Sequence, residues 1–270
     1  MDASKILFRC SSLGHLMVEP REKAAKERGE LAEGVKTHLV DVYVRNKYNR
    51  FTEVNAKQLD KGNDTEEDSI TIVSRITKEF YKKNEEFLSN DFIQGTPDLF
   101  KGPEILKAEL IRDTKSSWDA FSFFRAKAKQ LEKNYYCQVM GYMWLTGART
   151  AYIDYCLNNT PIGLIQRELY KESFNHEGNN TPTWIELQIL ANHIYDRSTF
   201  LKTIQERNYL DLDENAQAII NGFVEIPLKE RHFSFEVKYD ESFIEKLKER
   251  IIKCREYIEN DLFKKQLIEV

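Results

Sequence analysis

The chain has 270 residues, of which 41% are hydrophobic and 31% are charged. This composition suits one globular domain, or one domain with an insertion, and argues against a disordered or fibrous protein. The formal net charge is −4 at pH 7, so the chain lacks the overall basic character that nucleic-acid binding usually produces. An enzyme that acts on DNA is still compatible with this charge. A metal site needs carboxylates, and DNA binding depends on the local electrostatic field around the protein's binding groove rather than on the total charge.

Targeting and cysteine signals are sparse. No apolar run approaches the roughly 20 residues that a membrane span needs, and residues 1–9 lack the apolar stretch of a signal peptide. We therefore expect a cytoplasmic protein with no membrane partner. The four cysteines are far apart, form no CxxC pair and show no ligand spacing with the histidines, which argues against zinc and against a disulfide framework.

The predicted elements mix helices and strands. Helical periodicity predicts helices over 19–46, over 56–84 with an interruption near Gly62, and over 121–145. Between the last two, strands are predicted over 92–94, 98–100 and 105–114, with a turn at 101–104. Strands over 150–157 and 232–239 and a helix over 241–265 follow, while 158–229, with a helix over 184–207, is interpreted as an insertion. This order predicts one α/β domain over 1–270 with a mixed central β-sheet flanked by helices.

The most informative segment is the predicted hairpin. Asp98 opens one strand after a Gly-Thr-Pro turn, and Asp113 and Lys115 lie two residues apart near the end of the next strand. Because side chains alternate along a strand, Asp113 and Lys115 point to the same face, and hairpin pairing brings Asp98 beside them. Two carboxylates with the carbonyl of Thr114 between them form an oxygen-rich site for Mg²⁺. Such a cation polarises a phosphodiester and lowers the pKa of water, while a lysine orients the nucleophile.

A solvated strand face is the competing interpretation, since short motifs such as D-x-K recur by chance. The apolar flanks, Ile105, Leu106, Leu110 and Ile111, instead indicate that the carboxylates end a buried strand. On the next helix, Gln138 and Tyr142 are spaced i and i+4 and share a face. For Tyr142 alone, packing with the other apolar residues of the helix is the better account.

This ordered pattern resembles the PD-(D/E)xK nuclease superfamily, which has a restriction-endonuclease-like core. Within it, the chain is similar to λ-type, or YqaJ-like, phage recombination exonucleases. The resemblance rests on the Asp98 to Lys115 motif, on Val54-Asn55-Ala56-Lys57 with the following Leu59, Gly62 and Glu66, on 136–147, and on 232–258. It covers about half of the chain in separate blocks, whose recurrence in order is more specific than any one motif.

The resemblance implies roles for individual residues. Catalytic roles fall to Glu66, Asp98, Asp113, Lys115 and Gln138; metal ligation to Asp98, Asp113, Glu66 and the Thr114 carbonyl; and contacts with DNA or a 5′-phosphate to Lys57, Ser12 and Tyr142. Glu67 stays an alternative to Glu66, because slippage by one residue along the helix exchanges them. Asp113 stands where the λ protein has glutamate, an exchange that the superfamily tolerates. Mg²⁺ is the implied cofactor, and Mn²⁺ is expected to substitute for it.

The expected function is a metal-dependent DNA exonuclease that degrades duplex ends, 5′ to 3′, in phage-type recombination or DNA repair. The family implies a trimeric ring and a single-strand-annealing recombinase as partner. An endonuclease of the same fold and a catalytically silent DNA-binding module remain alternatives. The complete set of charged residues argues against the silent module, because a protein that only binds DNA needs no metal shell.

Overall fold

Two β-sheets organise the chain in the computed structural model, which describes residues 2–52, 57–209 and 212–263. The larger sheet has five strands in the order β2-β5-β6-β7-β8, and the smaller has three in the order β1-β4-β3. The strands are Phe8–Arg9 (β1), Lys82–Lys83 (β2), Leu88–Ser89 (β3), Ile93–Gly95 (β4), Leu99–Lys101 (β5), Leu110–Ser116 (β6), Thr150–Cys156 (β7) and His232–Lys238 (β8).

Helices surround these sheets. They are Leu13–Leu16 (α1), Lys23–Glu27 (α2), Glu33–Tyr48 (α3), Lys57–Asp64 (α4), Glu66–Thr77 (α5), Ala120–Lys127 (α6), Lys133–Thr146 (α7), Ile162–Ser173 (α8), Thr183–His193 (α9), Arg197–Arg207 (α10), Glu214–Gly222 (α11) and Glu241–Tyr257 (α12). A π-helical turn, Ile258–Phe263, continues α12. Within the described ranges, no helix is long and apolar enough to cross a membrane. The predicted mixed α/β architecture is confirmed.

The register of the large sheet places the motif residues. Strands β5 and β6 pair antiparallel with Leu99 opposite Arg112, so the residue before Leu99, Asp98, lies opposite Asp113. The predicted hairpin is therefore confirmed. Strands β6 and β7 are parallel, and α6 and α7 connect them.

The two faces of the large sheet are covered by different helices. Phe100, Ile111 and Ile153 belong to the main core, which α7 and α12 complete. On the other face, Leu99 and Cys156 pack with Ile72 and Val73 of α5 in a smaller cluster. The end of β6 is thus enclosed between the beginning of α5 and the middle of α7. This junction is where the motif residues lie.

Two predicted helices are interrupted at different places than the periodicity indicated. The helix predicted over 19–46 is two helices, α2 and α3, because Gly29 adopts a left-handed conformation with φ of 70°. The helix predicted over 56–84 breaks at Thr65 rather than near Gly62, and it ends at Thr77, where Lys78 is left-handed with φ of 57°. Its predicted last residues instead form β2.

Other predicted elements are shorter than expected. The helix over 121–145 is the pair α6 and α7, and the helix over 184–207 is the pair α9 and α10. Residues Ile105–Lys107 form a 3-10 turn that buries Ile105, so the second strand of the hairpin begins at Leu110. The predicted end of the last helix, after residue 263, lies outside the described residues.

The segment 158–229 carries four helices, α8 to α11. Ile165, Leu187, Leu190 and Phe200 are buried in an apolar cluster that these helices form among themselves. The interpretation of this segment as an insertion stays a prediction.

Candidate active site

A cavity of about 490 Å³ opens at the end of β6. Its walls come from β6, α4, α5 and α7. The predicted site residues that line it are Glu66, Asp98, Asp113, Thr114, Lys115 and Gln138. Three further predicted residues, Ser12, Lys57 and Tyr142, do not line it.

Asp113 and Lys115 form an ion pair inside the cavity. The Lys115 Nζ atom lies 2.6 Å from Asp113 Oδ2, and both side chains are mostly buried. Burial acts to lower the pKa of Lys115, but the charge and hydrogen bond of Asp113, together with the charge of Asp98, outweigh burial and raise that pKa. Lys115 therefore remains a cation at neutral pH.

Gln138 connects the two members of this ion pair. Its Nε2 donates to Asp113 Oδ1 over 3.2 Å, and its Oε1 accepts from Lys115 Nζ over 3.3 Å. A glutamine suits this position because its amide carries both a donor group, Nε2, and an acceptor atom, Oε1. Gln138 therefore fixes the carboxylate and the amine relative to each other.

Asp98 lies beside this cluster and is held by Thr114. Its Oδ2 accepts from the Thr114 backbone N over 2.7 Å and from the Thr114 hydroxyl over 3.0 Å. Burial and the negative charge of Asp113 raise the pKa of Asp98 to about 7. A carboxyl group whose ionisation is disfavoured by a neighbouring carboxylate is typical of a site that binds a cation or shares a proton.

The raised pKa of Asp98 predicts a pH-dependent stability difference. Since the folded chain binds the Asp98 proton more tightly than the unfolded chain, this group stabilises the fold at low pH, and that contribution is lost as pH rises towards 7. In metal-free protein, Asp98→Asn should become more stable relative to wild type between about pH 4 and pH 7, with a constant difference above that. Urea unfolding across this pH range measures the difference; a difference that does not change with pH would contradict the assignment.

Glu66 reaches the cavity from the first turn of α5, whereas Glu67 does not line it. The side chain of Glu66 is 37% exposed and lies 3.4 Å from Lys83 Nζ. Lys83 makes a shorter ion pair, of 2.6 Å, with Glu67. Of the two predicted alternatives, the structure places Glu66 with Asp98 and Asp113, although Lys83 holds its carboxylate.

The donor set is compatible with a divalent cation. Asp98 and Asp113 offer carboxylate oxygens from opposite positions of the hairpin, and the buried Asp113 Oδ2 faces the cavity with Lys115 Nζ as its charged partner at 2.6 Å. In the described ranges, no group of three acidic, histidine or cysteine side chains lies close enough together to hold a metal ion. The predicted three-carboxylate shell therefore requires Glu66 to leave Lys83, and ligation by the Thr114 carbonyl stays a prediction.

Lys57 and Ser12 lie in neighbouring cavities. Lys57 Nζ pairs with Glu168 Oε2 at 2.9 Å and lies 4.4 Å from the centre of the Trp118 ring. Ser12 lines a cavity of about 360 Å³ that also contains Arg9 and Arg45. The preceding Val54, Asn55 and Ala56 of the sequence motif lie outside the described residues.

Tyr142 was predicted to contact DNA, but it is only 5% exposed. The Tyr142 hydroxyl accepts a hydrogen bond from Gln138 Nε2 over 3.0 Å, so Tyr142 helps to hold the Gln138 side chain in place. The ring packs closely on Gly95, where an added Cβ would lie 2.8 Å from a Tyr142 ring carbon. The position i+4 from Gln138 therefore faces the core, and a direct contact with DNA is excluded in this conformation.

Several residues that line the cavity were not predicted as site residues from the sequence. Ser11, rather than Ser12, lines the cavity, as do Ser116 and Tyr135. The Tyr135 ring centre lies 4.8 Å from Lys115 Nζ, a distance that suits a cation–π contact. The spacing of Tyr135 three residues before Gln138 was the available signal for it.

The whole fold is similar to that of solved exonucleases. A phage-related exonuclease from Haemophilus somnus 129PT matches with a TM-score of 0.65 and 26% identity, over 98% of this chain and 96% of that chain. The alkaline exonuclease LHK-Exo from Laribacter hongkongensis matches with a TM-score of 0.56 and 10% identity, over 99% of this chain and 97% of that chain. Its complex with dAMP matches with a TM-score of 0.57 and 11% identity. At 10% or 11% identity, the likeness shows the fold alone.

The fold is therefore similar to that of a phage-related exonuclease over nearly the full length of both chains. The resemblance to the λ-type, YqaJ-like family is confirmed, with a phage-related exonuclease as a structural relative over nearly the full length. The chain matches no protein-family model and no curated protein sequence.

Proposed function

We propose that the chain is a Mg²⁺-dependent DNA exonuclease with a PD-(D/E)xK core. The observation that carries this proposal is the convergence of Asp98, Asp113, Lys115 and Gln138 in one cavity at the end of paired strands. The structural likeness to a phage-related exonuclease supports the same activity. Mn²⁺ should substitute for Mg²⁺, because both prefer oxygen ligands.

Each residue has a role that follows from its surroundings. Asp98, Asp113 and Glu66 would hold the cation, which polarises the scissile phosphodiester and lowers the pKa of water when bound. Lys115 keeps its positive charge beside Asp113, so it would orient the attacking water and stabilise negative charge on the phosphate. Gln138 would keep Asp113 and Lys115 in register during the reaction.

Features outside the carboxylate cavity bear on the substrate. Ser12 shares a cavity with the guanidinium groups of Arg9 and Arg45, and such a lining suits a phosphate. We infer that this cavity takes the terminal 5′-phosphate of a duplex end. Lys57 is less suited to that role, because it already pairs with Glu168.

The family resemblance extends the proposal to assembly and biology. We infer 5′-to-3′ degradation of one strand, a trimeric ring, and a single-strand-annealing recombinase that takes the single-stranded product in recombination or repair. The segment 158–229, longer than its family counterpart, would lie where it can alter the ring or cover the DNA channel.

The proposal predicts a strict metal requirement and a defined product. Wild-type protein with linear 5′-phosphorylated duplex DNA should release mononucleotides in Mg²⁺, and EDTA should stop the release completely because the carboxylates alone do not activate water. Chromatography of the acid-soluble products measures both. Release that continues in EDTA would overturn the metal dependence, and products limited to long fragments would overturn the exonuclease.

A further inference from the structure

A buried group of polar side chains lies directly beside the candidate active site, on the α5 face of the large sheet. We call it the polar clasp, and it consists of Thr65, Ser69, Ser116 and Asn158. Thr65 and Ser69 are 1% exposed and Asn158 is 2% exposed. Buried polar groups of this kind cost free energy unless they bond to one another.

Asn158 is the centre of the polar clasp. Its Nδ2 lies 2.7 Å from Ser69 Oγ, 3.1 Å from Ser116 Oγ and 3.3 Å from Thr65 Oγ1. The hydroxyls of Thr65 and Ser116 are themselves 2.8 Å apart. One amide nitrogen therefore lies within hydrogen-bond distance of three hydroxyls from two segments of the chain.

The members of the clasp are next to the proposed site residues in sequence. Thr65 immediately precedes Glu66, and Ser69 lies three residues after Glu66 on the same helix. Ser116 immediately follows Lys115 on β6. Asn158 thus joins the segment that carries Glu66 to the segment that carries Lys115.

A second buried bond joins the same two segments. Lys61, on α4, is fully buried, and its Nζ donates to the backbone oxygen of Trp118 over 2.9 Å. Thr65 is tied to this lysine, because its hydroxyl donates to the Lys61 backbone oxygen over 2.7 Å. The start of α5 is therefore held against the end of β6 from two sides.

Asn158 occupies its place at a cost in stability. Its amide oxygen is buried and has no hydrogen-bond partner among the described residues. An unpartnered buried acceptor destabilises the fold, because the oxygen has lost its hydrogen bonds to water. An unpartnered buried acceptor at the edge of a charged cavity points to a role in the site rather than in the core.

We propose that Asn158 is a positioning residue that sets the distance between Glu66 and the Asp113–Lys115 pair and thereby the affinity of the site for a divalent cation. This inference rests on the proposed function of the cavity. It assigns the role to the junction of β7 with the segment 158–229, so that movement of this segment would be transmitted to the metal site. Residues that orient metal ligands commonly change metal affinity about 10–100-fold when they are removed.

The test is direct titration of Mn²⁺ into DNA-free protein by calorimetry, beside thermal unfolding and DNA cleavage. Asn158→Ala should weaken Mn²⁺ binding at least about tenfold and raise the Mn²⁺ concentration for half-maximal cleavage by a similar factor. Asn159→Ala is the matched control. The Asn159 side chain also has two partners, Asp196 Oδ2 at 2.6 Å and Tyr195 N at 2.8 Å, but both lie in the segment 158–229. The Asn159→Ala variant should have a lower unfolding temperature and an unchanged affinity for Mn²⁺.

Ser69→Ala keeps the test decisive if Asn158→Ala fails to fold. It removes only the shortest bond of the clasp and should give a smaller loss of Mn²⁺ affinity in the same direction. Wild-type affinity in either folded clasp variant, or an equal loss in Asn159→Ala, would overturn the positioning role while the proposed nuclease stands. A wild-type protein that neither binds Mn²⁺ nor cleaves DNA would overturn the proposed function itself.

Discussion

Asp113→Asn is expected to lower kcat for Mg²⁺-dependent DNA cleavage by at least about 10²-fold, the scale of removing one charge-stabilising group from an active site. Asp113 is the most buried carboxylate of the cavity, at 1% exposure, and it contacts both Lys115 and Gln138. Asparagine keeps the shape and one oxygen, but it removes the charge that would hold the cation. Steady-state release of mononucleotides in Mg²⁺ measures the loss.

The substitution of Asp113 also affects Lys115, its partner in the ion pair. Removing the Asp113 charge leaves Lys115 mostly buried without its main partner, so the lysine should lose protons more readily. Alanine would add a void to this effect, whereas asparagine does not. Lys115→Ala is the companion variant, and metal-dependent cleavage that persists in the pure Lys115→Ala protein would contradict the assigned site.

Arg112→Met is expected to destabilise the fold by about 3–5 kcal/mol, the usual cost of breaking a buried ion pair by removing one member. Arg112 Nη1 lies 2.7 Å and 2.9 Å from the two carboxylate oxygens of Asp154, and Asp154 is fully buried. The guanidinium is also stacked between the rings of Tyr81 and Tyr152, at 4.6 Å and 4.3 Å. Methionine fills much of the space but leaves the Asp154 charge without its main partner.

Urea unfolding measures this loss, and a paired variant supplies the control. Arg112→Met combined with Asp154→Leu removes both charges and should recover most of the lost free energy, because no unpaired charge stays buried. His232, which lies 2.8 Å from Asp154 Oδ1, would lose its partner in that variant. A double variant as unstable as the single one would show that packing, rather than charge, sets the cost.

The core of the site was predictable from the sequence because it depends on local periodicity. The two-residue period of a strand placed Asp113 and Lys115 on one face, and the hairpin placed Asp98 opposite Asp113. Gln138 was placed beside them by the family resemblance, because helical spacing shows only which face of the helix carries it. These residues meet in the cavity as predicted, while their catalytic roles stay predictions.

Tertiary packing decided the features that were missed. Tyr142 shares a helical face with Gln138, yet contact with Gly95 from another strand buries its ring. The pairing of Glu66 with Lys83 depends on β2, a strand of two residues that lies inside a predicted helix. Lys57 and Ser12 do not line the cavity. The direction of a side chain on a short helix or turn depends on its neighbours, and here Lys57 pairs with Glu168 while Ser12 bonds to the Arg9 backbone oxygen. Helix breaks at Gly29 and Lys78 required left-handed backbone conformations that periodicity does not report.

Digestion of linear 5′-phosphorylated duplex DNA beside closed circular DNA, each in Mg²⁺, tests the central claim most directly. The account predicts that the linear DNA disappears while the circle persists, since an exonuclease must bind a duplex end. Cutting of the closed circle would contradict an exonuclease and identify an endonuclease of the same fold. Inertness towards both substrates would contradict catalysis and favour a DNA-binding module.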